Sequence, residues 1–116
     1  MKVIAYDQVQ ETRFDNEMVK GVSGRVAIGK ADGAANFCMR VFELDPGGYT
    51  PKHQHDWEHE IFFHAGKGEV WRAGAWEPVA SGSVAFIPGN EEHQIRNRSD
   101  GKLTFVCLIP SGAPEL

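Results

Sequence analysis

Apolar residues in this chain come in short runs rich in Val, Ile and Phe, among them GRVAIG, FCMRVFEL, EIFFHAG, SVAFIPG and KLTFVCLIP. Gly, Pro or a turn signal ends each run after roughly six to ten residues. No window sustains a 3.6-residue apolar period, so the rhythm excludes a helical fold and predicts about nine to ten short strands. Parallel neighbours need crossover connections of about a dozen residues or more, and the connections here are too short for that. The strands must pair antiparallel, and 116 residues suffice for one core but not two. The expected fold is an all-β, single-domain jelly-roll barrel, an arrangement that leaves few strand edges exposed. Residues 1–21 are mixed and polar. They are expected to form an extended arm with one short strand at residues 2–6, followed by a barrel over residues 22–116. The DPGG of residues 45–48 is expected to be a turn.

Charge and composition remove several function classes. The net charge is −4, with Lys and Arg scattered singly, so there is no basic stripe for a phosphate backbone and no nucleic-acid partner is expected. No stretch of about 18 apolar residues occurs and the first residues do not resemble a signal peptide. The expectation is a soluble, cytoplasmic protein without a membrane partner. Two cysteines, Cys38 and Cys107, lie far apart in strand-like sequence, and both are expected to be reduced and buried. No Ser-His-Asp arrangement, phosphate-cradling loop or dinucleotide fingerprint is present.

Four of the five histidines fall in PKHQHDWEHEIFFHAGKG, residues 51–68. If residues 53–55 are strand, His53 and His55 project to one face. After a bend at Asp56-Trp57-Glu58, alternation puts His59, Ile61 and Phe63 on one face and Glu60, Phe62 and His64 on the other. The bend leaves the phase open, so on the residues alone either His59 or Glu60 could join the pair. Several imidazoles facing one interior are costly to bury without a shared partner, and a metal ion is such a partner. The fifth histidine, His93, follows a Pro-Gly-Asn turn that could re-aim its side chain into the same cavity, with Asn90 left-handed. His64 is expected to face away.

These residues carry a resemblance to the cupin superfamily, covering the chain from about Val22 to Pro110. The first family motif reads Gly47, His53, His55, His59, Gly66, and the second reads Gly82, Pro88, His93, Asn97. Asn90 stands where the family usually has a glycine two places after Pro88, and His59 and Glu60 share the place of the family's metal-binding Glu. HQHDWEHEIFFHAGKGEV with PGNEEHQIRN and FVCLIP is similar to the small manganese-binding cupins in which four histidines hold the metal. The resemblance implies a double-stranded β-helix barrel, ligands His53, His55, His59 and His93, manganese as the ion, and a homodimer. Ligand type alone also admits iron, nickel or zinc.

Four neutral imidazoles would leave a divalent ion its full charge and, for an ion preferring six ligands, two open positions. Three functions are compatible with such a site. The first is a metal-dependent, dioxygenase-type oxidoreductase acting on a small organic substrate. The second is a non-redox isomerase or lyase, and the third a module that binds or senses a small ligand without turnover. Two residues are candidates for a catalytic role. Cys107 lies in phase with Phe105 and Ile109, so strand alternation aims its thiol at the cavity. Arg40 shares a face with Cys38 and Phe42, and, if that face is interior, its guanidinium could meet a substrate carboxylate or an internal acid.

Overall fold

The computed structural model describes Met1–Leu116. Nine strands follow in order: β1 Thr12–Phe14, β2 Lys20–Ile28, β3 Phe37–Tyr49, β4 His59–Ala65, β5 Lys67–Arg72, β6 Ala75–Ala80, β7 Val84–Ile87, β8 Gln94–Arg96 and β9 Leu103–Pro110. The helical content is two single turns, at Tyr6–Gln8 and Lys30–Asp32, and no helix is long and apolar enough to cross a membrane. Every strand pair is antiparallel, and one sheet runs β6-β5-β8-β3-β9-β4-β7, with β2 laid on β3 and β1 on β2. The sheet curls into the all-β barrel that the strand rhythm predicts.

Alternation along β9 shows how the core is filled. Leu103, Phe105, Cys107 and Ile109 are buried inward, while Val106 and Leu108 sit half-buried on the outer side. Phe105 meets Phe63 of β4 and Phe42 of β3, each at 5.5 Å between ring centroids. Full burial of such a side chain stabilises the fold by about 1.5–3 kcal/mol, which makes this inward row the main adhesive between β3, β9 and β4. Thr104 is buried although it alternates outward, because it shares an outer groove with Val3 and Ile4 of the N-terminal segment. Phe62, Val84 and Phe86 stay exposed on the outer face beside Val106 and Leu108.

Three local expectations are corrected. No strand forms at residues 2–6, and the first one is Thr12–Phe14, where Arg13 and Phe14 pair with Ser23 and Val22. The DPGG segment is not a turn. It continues β3 as a bulge, since Val22 pairs with Leu44 but Lys20 pairs with Tyr49. Gly47 takes φ +80° there, and the segment is bonded to the residue just past β8 instead: Gly47 N donates to Asn97 O and Asn97 N to Gly48 O, both at 2.8 Å. Finally, residues 50–58 form no strand beyond a single bridge at His53. Between β4 and β5 the chain turns at Gly66 alone, at φ +88°, where a Cβ would collide with the Lys102 carbonyl oxygen.

Asn97 ties the bulge to the β8–β9 turn. Its side chain is fully buried; Nδ2 donates to the carbonyls of Leu44 at 3.0 Å and Gly101 at 2.7 Å, while Oδ1 accepts from Ser99 N and Oγ. Asn97→Ala strands several buried polar groups and is expected to cost about 2–4 kcal/mol in urea unfolding; a loss below about 0.5 kcal/mol would contradict this role.

Candidate metal centre

Each histidine reaches the cluster by a different local device, and burial is graded across it: His59 and His93 are buried, His55 is half-buried and His53 is exposed. The irregular segment after β3 is held at Thr50, whose N donates to Ile95 O at 2.9 Å while its Oγ1 accepts from Ile95 N at 2.9 Å. Three residues later His53 and His93 form a two-residue antiparallel bridge, with N–H to O distances of 3.1 and 2.9 Å. The turn before His93 is left-handed at Asn90, φ +67°, and Asn90 N donates to His55 O at 2.6 Å. His59 opens β4 paired with Ile87, and Ile61 and Phe63 follow it into the core. Glu60 and His64 lie on the exposed outer face.

The four rings converge. Centroids of His53–His93 and His55–His59 are 4.7 Å apart, and those of His53–His55, His55–His93 and His59–His93 are 5.0 Å apart, all edge-on. Ring nitrogens of His53, His55 and His93 lie within 4.8 Å of one another, and His59 Nε2 is 2.9 Å from His55 Nε2. His55 Nδ1 donates to Trp57 O and His93 Nδ1 to Glu91 O, each at 2.9 Å. A carbonyl oxygen only accepts, so both rings carry their proton on Nδ1 and present an Nε2 lone pair. The Trp57 indole stacks on His55 at 3.9 Å and 6°, and the buried His93 Nε2 has no hydrogen-bond partner. Converging lone pairs, one of them orphaned in the interior, fit a divalent cation as the shared partner.

Electrostatics favours the neutral form, the one that ligates, at His53, His59 and His93. Burial, followed by the neighbouring Arg40 charge, lowers the His59 pKa to about 3. Burial and then His93 and His55 lower that of His53 to about 4. Burial lowers His93 as well.

Arg40 and Cys107 both face the interior. Arg40 is 7% exposed and forms no ion pair. Its Nη2 donates to Cys107 Sγ at 3.0 Å and lies 3.3 Å from His59 Nδ1, its Nη1 reaches Glu115 O at 3.4 Å, and its buried Nε has no partner. Cys107 Sγ is 3.2 Å from the same His59 Nδ1. Both cysteines are free. Burial pushes the Cys107 thiol pKa up, with Arg40 opposing, and raises Cys38 to about 11.

His53, His59, His93, Arg40 and Cys107 border a cavity of about 180 Å³ whose other walls include Phe14, Val22, Phe42, Ile61 and Phe105. An apolar cavity of about 150 Å³ admits one benzene ring, so this one takes a single ring or a fragment of that size. Sequence reasoning missed Phe14, hidden in the polar arm, and the part of Trp57, whose position two residues after His55 was the available signal.

In the unfolded chain the histidines titrate near 6.5, whereas in the fold His53 and His59 titrate near 4 and 3. Between those values the unfolded state binds more protons, so this contribution is complete above pH 6.5 and drains away on acidification. The metal-free protein is expected to show a urea midpoint that falls steadily from pH 6.5 to 4.5, with a shallower slope in His59→Gln. A flat midpoint across that window would contradict the neutral cluster.

Comparison with known proteins agrees with this architecture. Residues 40–109 match the Cupin domain family. The polyketide cyclase RemF from Streptomyces resistomycificus superposes with a TM-score of 0.91 at 31% identity, over 98% of this chain and 82% of that one. The oxalate-binding protein of Thermotoga maritima is 32% identical over 113 residues, 92% of each chain. The 1-methylthio-D-xylulose 5-phosphate methylsulfurylase of Rhodospirillum rubrum is 32% identical over 71 residues, 61% of this chain and 46% of that protein, so the chain spans about half the length of that relative. A curled antiparallel barrel that brings two histidine-bearing segments together across one bridge, and that matches these proteins over most of its length, is a member of the cupin superfamily.

Proposed function

We propose that this chain is a metal-dependent enzyme that takes a small, oxygen-rich organic molecule into its cavity and polarises a carbonyl for non-redox chemistry such as cyclisation, isomerisation or bond cleavage. One observation carries the reading: imidazoles, with no carboxylate among them, converge at an apolar, ring-sized cavity. His53, His55, His59 and His93 would hold the ion, with manganese first and iron, nickel or zinc as alternatives. A divalent ion there would keep its full charge and supply Lewis-acid polarisation.

The remaining residues narrow the substrate. Phe42, Ile61 and Phe105 exclude water and hold an apolar fragment in place. No carboxylate borders the cavity to act as a strong base; Arg40 is permanently protonated and burial keeps Cys107 a thiol. Substrates whose proton becomes acidic on polarisation therefore suit the site best, above all 1,3-dicarbonyls and enediols. The similar proteins, named for a polyketide, for oxalate and for a xylulose phosphate, all concern molecules with closely spaced oxygen atoms. An oxygenase reaction is the second reading, favoured by apolar walls that also accommodate O₂ beside the imidazoles.

The test is turnover of a 1,3-dicarbonyl and hydroxyketone panel by the manganese-loaded protein, under argon and in air. Equal chelator-sensitive rates in both atmospheres are expected. Turnover that requires and consumes O₂ would replace this reading with the oxygenase one, and a tight ligand recovered unchanged in both would make the chain a binding module.

A further inference from the structure

What stands behind His59 differs from what stands behind His55 and His93. Those two rings lean on main-chain carbonyls at 2.9 Å. His59 Nδ1 has no carbonyl and meets Arg40 Nη2 at 3.3 Å and Cys107 Sγ at 3.2 Å. A guanidinium only donates, so it can serve a bare Nδ1 and cannot serve a protonated one.

Without an ion, the hydrogen bonds close in one way. His55 carries its proton on Nδ1, so at 2.9 Å its Nε2 must accept from His59 Nε2–H. His59 Nδ1 is then bare and accepts from Arg40. That tautomer hides the very nitrogen that would bind a metal. Ligation through Nε2 requires the proton on Nδ1, where the one acceptor within reach is the Cys107 sulphur, whose own S–H has Leu108 O at 4.0 Å as its partner.

We propose that Cys107 is the positioning residue that makes His59 a metal ligand, by accepting the hydrogen bond of its Nδ1–H, while Arg40 holds the opposite tautomer when no ion is bound. The ring exchanges one proton with solvent, lost at Nε2 and gained at Nδ1, so its net charge is unchanged. Ion binding and the hydrogen bond behind the ring are thereby linked, and the Arg40–Cys107 pair tunes affinity from the side of His59 that faces away from the ion. The inference rests on the metal-centre reading of the four imidazoles and is independent of the substrate.

Zinc, which is diamagnetic, is the probe. Zinc affinity of the full chain is measured by competition with a chromophoric chelator, and the His59 tautomer by ¹⁵N imidazole NMR. Cys107→Val fills the space without an acceptor and is expected to weaken zinc binding about 10–100-fold, the usual effect of removing a partner that orients a ligand. Cys107→Ser retains an acceptor and is expected to recover most of that loss. The parent spectrum is expected to show His59 protonated on Nε2 without zinc and on Nδ1 with it, a readout that needs no variant to fold. Parent-like affinity in Cys107→Val, or a bare Nδ1 in the zinc-loaded parent, would overturn the inference alone. A parent that takes up no zinc would overturn the metal-centre reading with it.

Discussion

Two main-chain hydrogen bonds between His53 and His93 join the parts of the chain that matter most. The chain around His53 is otherwise irregular, whereas His93 opens directly into β8, so the bridge is what ties the irregular segment and its ring to the sheet. Everything upstream serves to deliver His53 to it. The bulge at Gly47 lets β3 leave its β2 register and bond to Asn97, and Asn97, fully buried, anchors the chain just beyond the short β8 that His93 precedes. A geometry held by backbone contacts loses less entropy when an ion binds than one held by side chains alone, because its rings are already in place.

The interior charge balance is the second organising constraint. Arg40 is a buried cation without an acidic partner, an arrangement that is tolerated only where something else compensates. Here the compensation is spread over the Cys107 sulphur, the Glu115 carbonyl and the Phe42 ring, whose centroid is 4.9 Å from the guanidinium carbon. The same cation helps hold His59 neutral. A positive charge beside an imidazole disfavours its protonation, so Arg40 favours the neutral His59 ring, whichever nitrogen carries its single proton.

Much of this was legible in the sequence. The strand rhythm predicts an antiparallel all-β domain. Alternation aims Cys107 inward and groups His59 with Ile61 and Phe63 opposite Glu60 and His64, because β9 and β4 are regular and packed on one side only. The choice of His59 over Glu60 comes from the family resemblance, since the bend leaves the phase open. The Pro-Gly-Asn turn announced the left-handed Asn90. Reading failed where the chain departs from local rules. DPGG has turn composition, yet its bonds go to Asn97, about fifty residues away in sequence, and no local pattern reveals such a partner. Residues 53–55 read as strand because His53 and His55 alternate, but a single bridge replaces the ladder. Phe14 stands between the charged Arg13 and Asp15 in a mixed arm, and its place in the cavity wall follows from the pairing of β1 with β2 rather than from any periodicity.

The central claim is that four imidazoles, and not Glu60, hold one ion. Its most direct test is the metal content of the protein purified with manganese, set beside that of His53→Ala, His55→Ala, His59→Ala, His93→Ala, Glu60→Ala and His64→Ala. About one ion per chain is predicted for the parent and for Glu60→Ala and His64→Ala, with strong depletion in the other four. Full occupancy in His59→Ala together with loss in Glu60→Ala would contradict it.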